Sequence, residues 1–220
     1  MTKILDQGRL QEIVCAVGYR KATDTSYDAD APYVYRYGAS NAVIEHFIYF
    51  HETSDGGVSG DFGIRNNAAH EFSFQMLTRH GGPLYSSLTE RMSQIHTFLR
   101  FQLSNFIDPT GLFHWDARAL FGLQGFLEKN LLPFVDSVQN PTDLLTVLVS
   151  DNWPCPWRKT NCAARAAQVS FFASALRKRE EFVLDVLTPK AKLIKNSLSN
   201  DVEAADYISS IMRESFPYLG

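Results

Sequence analysis

The amino-acid sequence predicts an α+β protein: an N-terminal helix, an antiparallel sheet of about four strands, then a helical C-terminal half. Three observations carry the prediction. Apolar residues near the N-terminus recur at the three-and-four spacing of one helix face. Between residues 33 and 103 the pattern is largely strand-like alternation. From residue 115 onward the spacing is helical to the end of the chain. Strands and helices segregated in this way argue against the repeated βα units of a parallel sheet.

In the first helix Leu10, Ile13, Val14 and Val17 share a face, and Gly18 follows as a C-cap. Residues 23–31 read as loop. "YVYRYG" (33–38) alternates like a strand, and "AVIEHFIYFH" (42–51) is apolar on both faces, as in a strand covered on each side. The Asp-Gly-Gly turn within 53–57 returns the chain into "VSGDFGIR" (58–65), giving a hairpin. Residues 67–79 fit a helix through Ala68, Phe72 and Met76, and equally a strand through Phe72, Phe74 and Met76. "SQIHTFLRFQL" (93–103) alternates as a strand with one apolar and one more polar side.

Four helical stretches follow. Residues 115–134 carry Leu120, Leu123, Leu127 and Leu131 on a stripe that stops at Pro133. Residues 140–151 begin at an Asn140 cap with Pro141 in the first turn. Residues 162–187, capped by Asn161, form one long helix or two, and Thr188-Pro189 restarts the chain. Residues 199–216 align Val202, Ala205, Ile208 and Met212. The expected organisation is an α+β domain over 1–150, a Trp/Pro-rich joint at 151–160 ("DNWPCPW" and its neighbours), and a helical extension over 161–220 packed on the same domain.

Bulk composition narrows the function classes. A chain of 220 residues, 45% hydrophobic and 20% charged, is ordinary for a globular protein with a substantial core. A net charge of −3 supplies no global basic field, so neither nucleic acid nor a membrane surface is an expected partner. The N-terminus lacks an apolar run of signal-peptide length, and no run approaches a membrane span. Three cysteines, Cys15, Cys155 and Cys162, are unlike a secreted disulfide framework. These features predict a cytoplasmic protein with reduced thiols.

Motifs for chemistry are sparse. The phosphate-cradling GxxxxGKS/T, GxGxxG after a strand, HExxH and GxSxG are all absent from the sequence. His46 and His51 point to opposite faces of one strand, and no histidine pair has compact metal-ligand spacing. No metal or other cofactor is therefore expected. Cys155 and Cys162 form C-x6-C, which is neither redox nor zinc spacing. Cys162 lies in the first turn of a helix near Arg158, Lys159 and Arg165, which would favour thiolate; packing as a small apolar residue beside Ala163 and Ala166 is the preferred reading. A mixed-charge sheet face formed by Asp61, Arg65, His96 and Arg100 is the candidate ligand surface, set against a solvated or covered face. Trp153 and Trp157 are read as pins that hold the joint to the core, and as partner-binding residues if exposed.

The order of features resembles uncharacterised bacterial proteins of the domain-of-unknown-function family 4304 type. The matching residues are Gly18, Tyr19 and Lys21 after the first helix, the strand pair, and Leu132, Pro133 and Phe134 before a short amphipathic helix, over about residues 3–150. The resemblance implies a small cytoplasmic α+β domain and transfers no catalytic residue. Residues 161–220 depart from the pattern.

The reading preferred from the sequence is a non-catalytic protein-binding module, for example an immunity or accessory protein. One alternative is an enzyme or small anionic-ligand binder using the mixed-charge face. Another is a homo-oligomeric structural protein, with a dimer formed through the C-terminal helices.

Overall fold

A computed structural model describes residues 6–22, 33–37, 43–53, 57–86, 99–103, 115–116, 120, 122–152, 155–157, 162–198 and 201–217. It has the α+β class expected from the sequence. The chain divides into two compact units, Met1–Ile64 with Arg100–Gln139, and Arg65–Leu99 with Asn140–Gly220.

The first unit is built on a sheet. Helix α1 (Gln7–Ala16) starts where the Asp6 carboxylate accepts the Arg9 N–H at 3.0 Å, and it buries Leu10 and Val14. Gly18 ends it at φ 91, a region that L residues avoid, and a Cβ there would lie 3.0 Å from the Tyr37 ring. Strands β1 (Tyr19–Lys21), β2 (Tyr33–Tyr37), β3 (Glu45–Glu52), β4 (Gly57–Arg65) and β5 (Leu99–Gln102) follow one another across the sheet. A two-residue strand, β6 (Trp115–Asp116), pairs antiparallel with the start of β4. The four strands read from the sequence are thus joined by two short ones.

Register puts Tyr19, Tyr37 and His46 in one row across β1, β2 and β3. Both faces of β3 are buried: Ile48 and Phe50 on the side of His46, Phe47 and Tyr49 on the other. Gly60 of β4 is required by crowding, because a Cβ would sit 2.7 Å from Leu103 and 3.0 Å from Phe50. Helix α4 (residues 123–136) covers the His46 side, where Phe134 meets Phe62 edge-on at 5.3 Å.

Two sequence expectations fail at α4. The helix begins at Leu123 rather than near residue 115, because Leu120 has a left-handed φ of 44 that no helix accommodates. Nor does Pro133 stop it. A π turn, Leu127–Leu131, widens the helix just before the proline, and Leu132–Asp136 continues it. Proline lacks the N–H and crowds the carbonyl four residues back, and a wide turn relieves both problems.

The second unit is helical. Residues 67–80 form helix α2 (Asn67–His80), which settles the helix-or-strand ambiguity. Asn66 caps it by accepting the Ala69 N–H, and Ala69, Ser73, Met76 and Leu77 form its buried face. A short helix α3 (Pro83–Ser86) comes next. Helix α5 (Pro141–Val149) starts as expected, with the Asn140 side chain accepting from the Thr142 and Asp143 N–H groups.

Helix α6 (Cys162–Ala175) is central: every residue from Cys162 to Ser170 is buried. Its alanines admit close neighbours, and Ser73 and Tyr207 donate to the carbonyls of Ala164 and Ala163. Arg177 at φ 58 ends it, with Lys178 N–H bonded to Ala173 O and Arg177 N–H to Ser174 O, a Schellman arrangement. Residues 162–187 are therefore two helices. Helix α7 (residues 179–196) runs through Pro189 with a second π turn, Val183–Leu187, ahead of the proline. The chain does not restart at Thr188, for the reason that applies at Pro133.

Helix α8 (Asp201–Ser215) buries a stripe other than the expected one. Ala204, Tyr207 and Ile211 face inward, while Val202 is 78% exposed and Ile208 and Met212 are half-buried. The Tyr207 hydroxyl, bonded to Ala163 O at 2.8 Å, selects the inward face.

Candidate functional site

Asp61 and Arg65, four residues apart on β4, share one side of that strand; Asp61 is buried and Arg65 half-buried. Arg100 lies in β5 with its side chain outside the described residues, and His96 lies outside them entirely. In the first unit a buried polar pair is instead well defined. Arg36 Nε lies 3.6 Å from Glu45 Oε1, both nearly inaccessible, and the guanidinium stands 5.3 Å over the Phe47 ring. On the opposite face, His46 Nε2–H donates to Val138 O at 3.0 Å, and burial pulls its pKa down to about 4. His46 is therefore neutral at ordinary pH.

The Trp/Pro-rich joint lies inside the second unit, between α5 and α6. Its organiser is Arg165 on α6, 1% exposed. Nε donates to Leu148 O at 2.8 Å. One Nη donates to Cys155 O and Pro156 O at 3.0 and 3.2 Å, and the other to Val147 O and Ser150 O at 2.9 and 2.6 Å. A guanidinium has five N–H donors, and all five are used. Three acceptors belong to the end of α5, whose last carbonyls have no helical partners, so a cation is suited to the site in both hydrogen bonding and dipole. The other two belong to the joint. Burial lowers the Arg165 pKa to about 10, which leaves it charged at neutral pH.

Trp157 closes the arrangement. Its ring centroid is 4.6 Å from the Arg165 guanidinium, and its backbone N–H donates to Asp151 Oδ1 at 2.7 Å. The other Asp151 oxygen is paired with Lys190 of α7. Trp157 is buried and pins the joint, and Trp153 lies outside the described residues. Cys162 opens α6 fully buried. Burial pushes its thiol up to about 11, outweighing the pull of Arg165 and Lys190, and pushes Cys155 up to about 12. The Arg158 and Lys159 side chains, and the Asn161 cap, fall outside the described residues. Sequence reasoning gave Arg165 only a part in activating Cys162. The available signal was a lone arginine amid Ala163, Ala164, Ala166 and Ala167, a charge on a helix with no polar face.

An open cleft of about 310 Å³ lies among α5, α6 and α7. Its floor is apolar: Leu145 and Val149 from α5, Val169 and Ala173 from α6, Phe182 from α7. Thr142 and Thr146 stand on one wall. Lys178, Glu181 and Asp185 stand on the other. Lys178 Nζ and Glu181 Oε2 are paired at 2.7 Å. On each wall the residues recur at helical spacing, so two helix faces confront each other across a third.

Among the described residues, no group of three or more His, Cys, Asp or Glu side chains is placed to hold a metal ion. No described helix is long and apolar enough to cross a membrane. Comparison with known proteins returns no matching family model, curated protein or solved structure.

Proposed function

We propose that this chain is a non-catalytic protein-binding module that recognises its partner through the cleft between α5, α6 and α7. An immunity or accessory protein of the bacterial cytoplasm is the concrete form. The cleft is the observation that supports the reading: a concave surface with an apolar floor and a polar rim, the make-up of interfaces that anchor a few partner side chains. Groups the sequence offered for chemistry have structural surroundings instead. Cys162 is buried and protonated, and Arg165 is fully engaged by backbone carbonyls. The bacterial setting rests on the family resemblance noted from residues 18–21 and 132–134; the reading of the cleft as a recognition surface rests on its lining.

Affinity capture from host extract with the wild-type chain and with Thr146→Trp tests it. Thr146 is exposed on the cleft wall, so a tryptophan there obstructs the opening without entering the core. We expect a partner that the wild type retains and the variant loses, and that rebinds as a purified protein. Stabilisation by a metabolite, with no protein lost from the variant, would contradict the reading.

A further inference from the structure

We infer that the cleft is built for a basic amphipathic helix, whose apolar side chains enter between α5 and α7 while a lysine or arginine meets Asp185. The inference rests on the reading of the cleft as a recognition surface and adds the chemistry of its occupant. Shape comes first. Leu145, Thr146 and Val149 on α5, and Glu181, Phe182 and Asp185 on α7 with Lys178 at its N-cap, are two helix faces at three-and-four spacing. A groove of this construction accepts a third helix presenting anchors at the same spacing.

Charge selects the sign of the occupant. Lys178 and Glu181 neutralise one another across 2.7 Å. That leaves Asp185, which is exposed, as the one ionised group of the lining not matched by an opposite charge within it. Thr146 uses its hydroxyl proton internally, donating to Thr142 O at 3.0 Å, so it offers lone pairs to the cleft. The rim therefore presents a carboxylate and hydroxyl oxygen around an apolar floor, complementary to a cationic donor carried on an apolar body. The π turn over Val183–Leu187 sets the placement of this wall, since Pro189 forces the wide turn that carries Asp185.

The test uses the full chain and two synthetic helical peptides with the same leucine face, one with a lysine polar face and one with a glutamate polar face. Affinity is measured at physiological salt, and binding is located by amide chemical shifts. We expect the lysine peptide to bind about tenfold more tightly than the glutamate peptide, with shifts at Leu145, Val149 and Phe182. Asp185→Asn should weaken the lysine peptide by about threefold and Asp185→Lys by about tenfold, as expected for one exposed ionic contact removed or reversed. Thr146→Trp should block both peptides. If both bind equally, or the glutamate peptide binds better, and Thr146→Trp blocks them, the basic occupant is overturned and the recognition surface stands. Binding of neither peptide, or binding that Thr146→Trp leaves intact, overturns both.

Discussion

Each unit of this protein buries an arginine, and the two are accommodated by different means. Arg36 in the sheet unit lies beside the carboxylate of Glu45 and over Phe47, so its charge is locally matched. Arg165 in the helical unit makes five hydrogen bonds, every one to a backbone carbonyl, with the Trp157 ring against its plane. A carboxylate partner can be removed together with its arginine and replaced by apolar side chains. A set of carbonyls from α5 and the joint cannot, because the backbone remains and must find donors. Arg36 is thus one half of an exchangeable pair, whereas Arg165 is part of the scaffold.

The largest expected effect follows from that distinction. Arg165→Met should cost about 4 kcal/mol in equilibrium urea unfolding, and Arg165→Lys nearly as much, since an ammonium has three donors and no planar fork. A Lys variant of wild-type stability would break the comparison. His46 supplies the next. Its pKa is about 4 in the fold against an ordinary 6.5. Between those values the unfolded chain takes up a proton that the folded chain refuses. Stability contributed by neutral His46 is therefore intact above pH 6.5 and falls as the pH drops to 4, by up to about 3 kcal/mol. A pH series of urea melts should show that slope together with a like contribution from His70, which burial also pulls down to about 4, so His46→Gln should remove about half of it.

Glu45→Gln should cost about 2 kcal/mol by leaving the Arg36 charge poorly matched, and the double replacement Arg36→Met with Glu45→Leu should recover most of it. Thermal melts of the three variants decide whether the pair is exchangeable. The smallest effect concerns a third arginine, Arg177, which occupies the left-handed position ending α6. Arg177→Gly should raise stability by about 1 kcal/mol, because the backbone conformation there, rather than the charge, is the constraint.

Much of this architecture is legible in the sequence where a local signal acts alone. Asn140-Pro141 starts a helix, and the largely apolar run of residues 42–51 gives a strand covered on both faces. Reading fails where a local rule is overridden from outside. Pro133 and Pro189 look like stops, yet π turns carry both helices past them. Leu120 bears no sign of its left-handed φ. The stripe on α8 is set by a tyrosine hydroxyl that finds Ala163 O, a partner far away in sequence. The cleft is legible only in hindsight, because its walls come from two helices separated by the joint. Of the proposed ligand face, the sequence places Asp61 and Arg65 on one side of a strand, but it does not reveal that Asp61 is buried.

The role of Arg165 can be observed most directly by nitrogen-15 NMR of its guanidinium at neutral pH. Five donated hydrogen bonds should give a slowly exchanging Nε–H and four separate Nη–H resonances, held apart because rotation about the Cζ–Nη bonds is blocked. A single averaged Nη signal, or exchange with water as fast as that of a surface arginine, would contradict a scaffold built around this side chain.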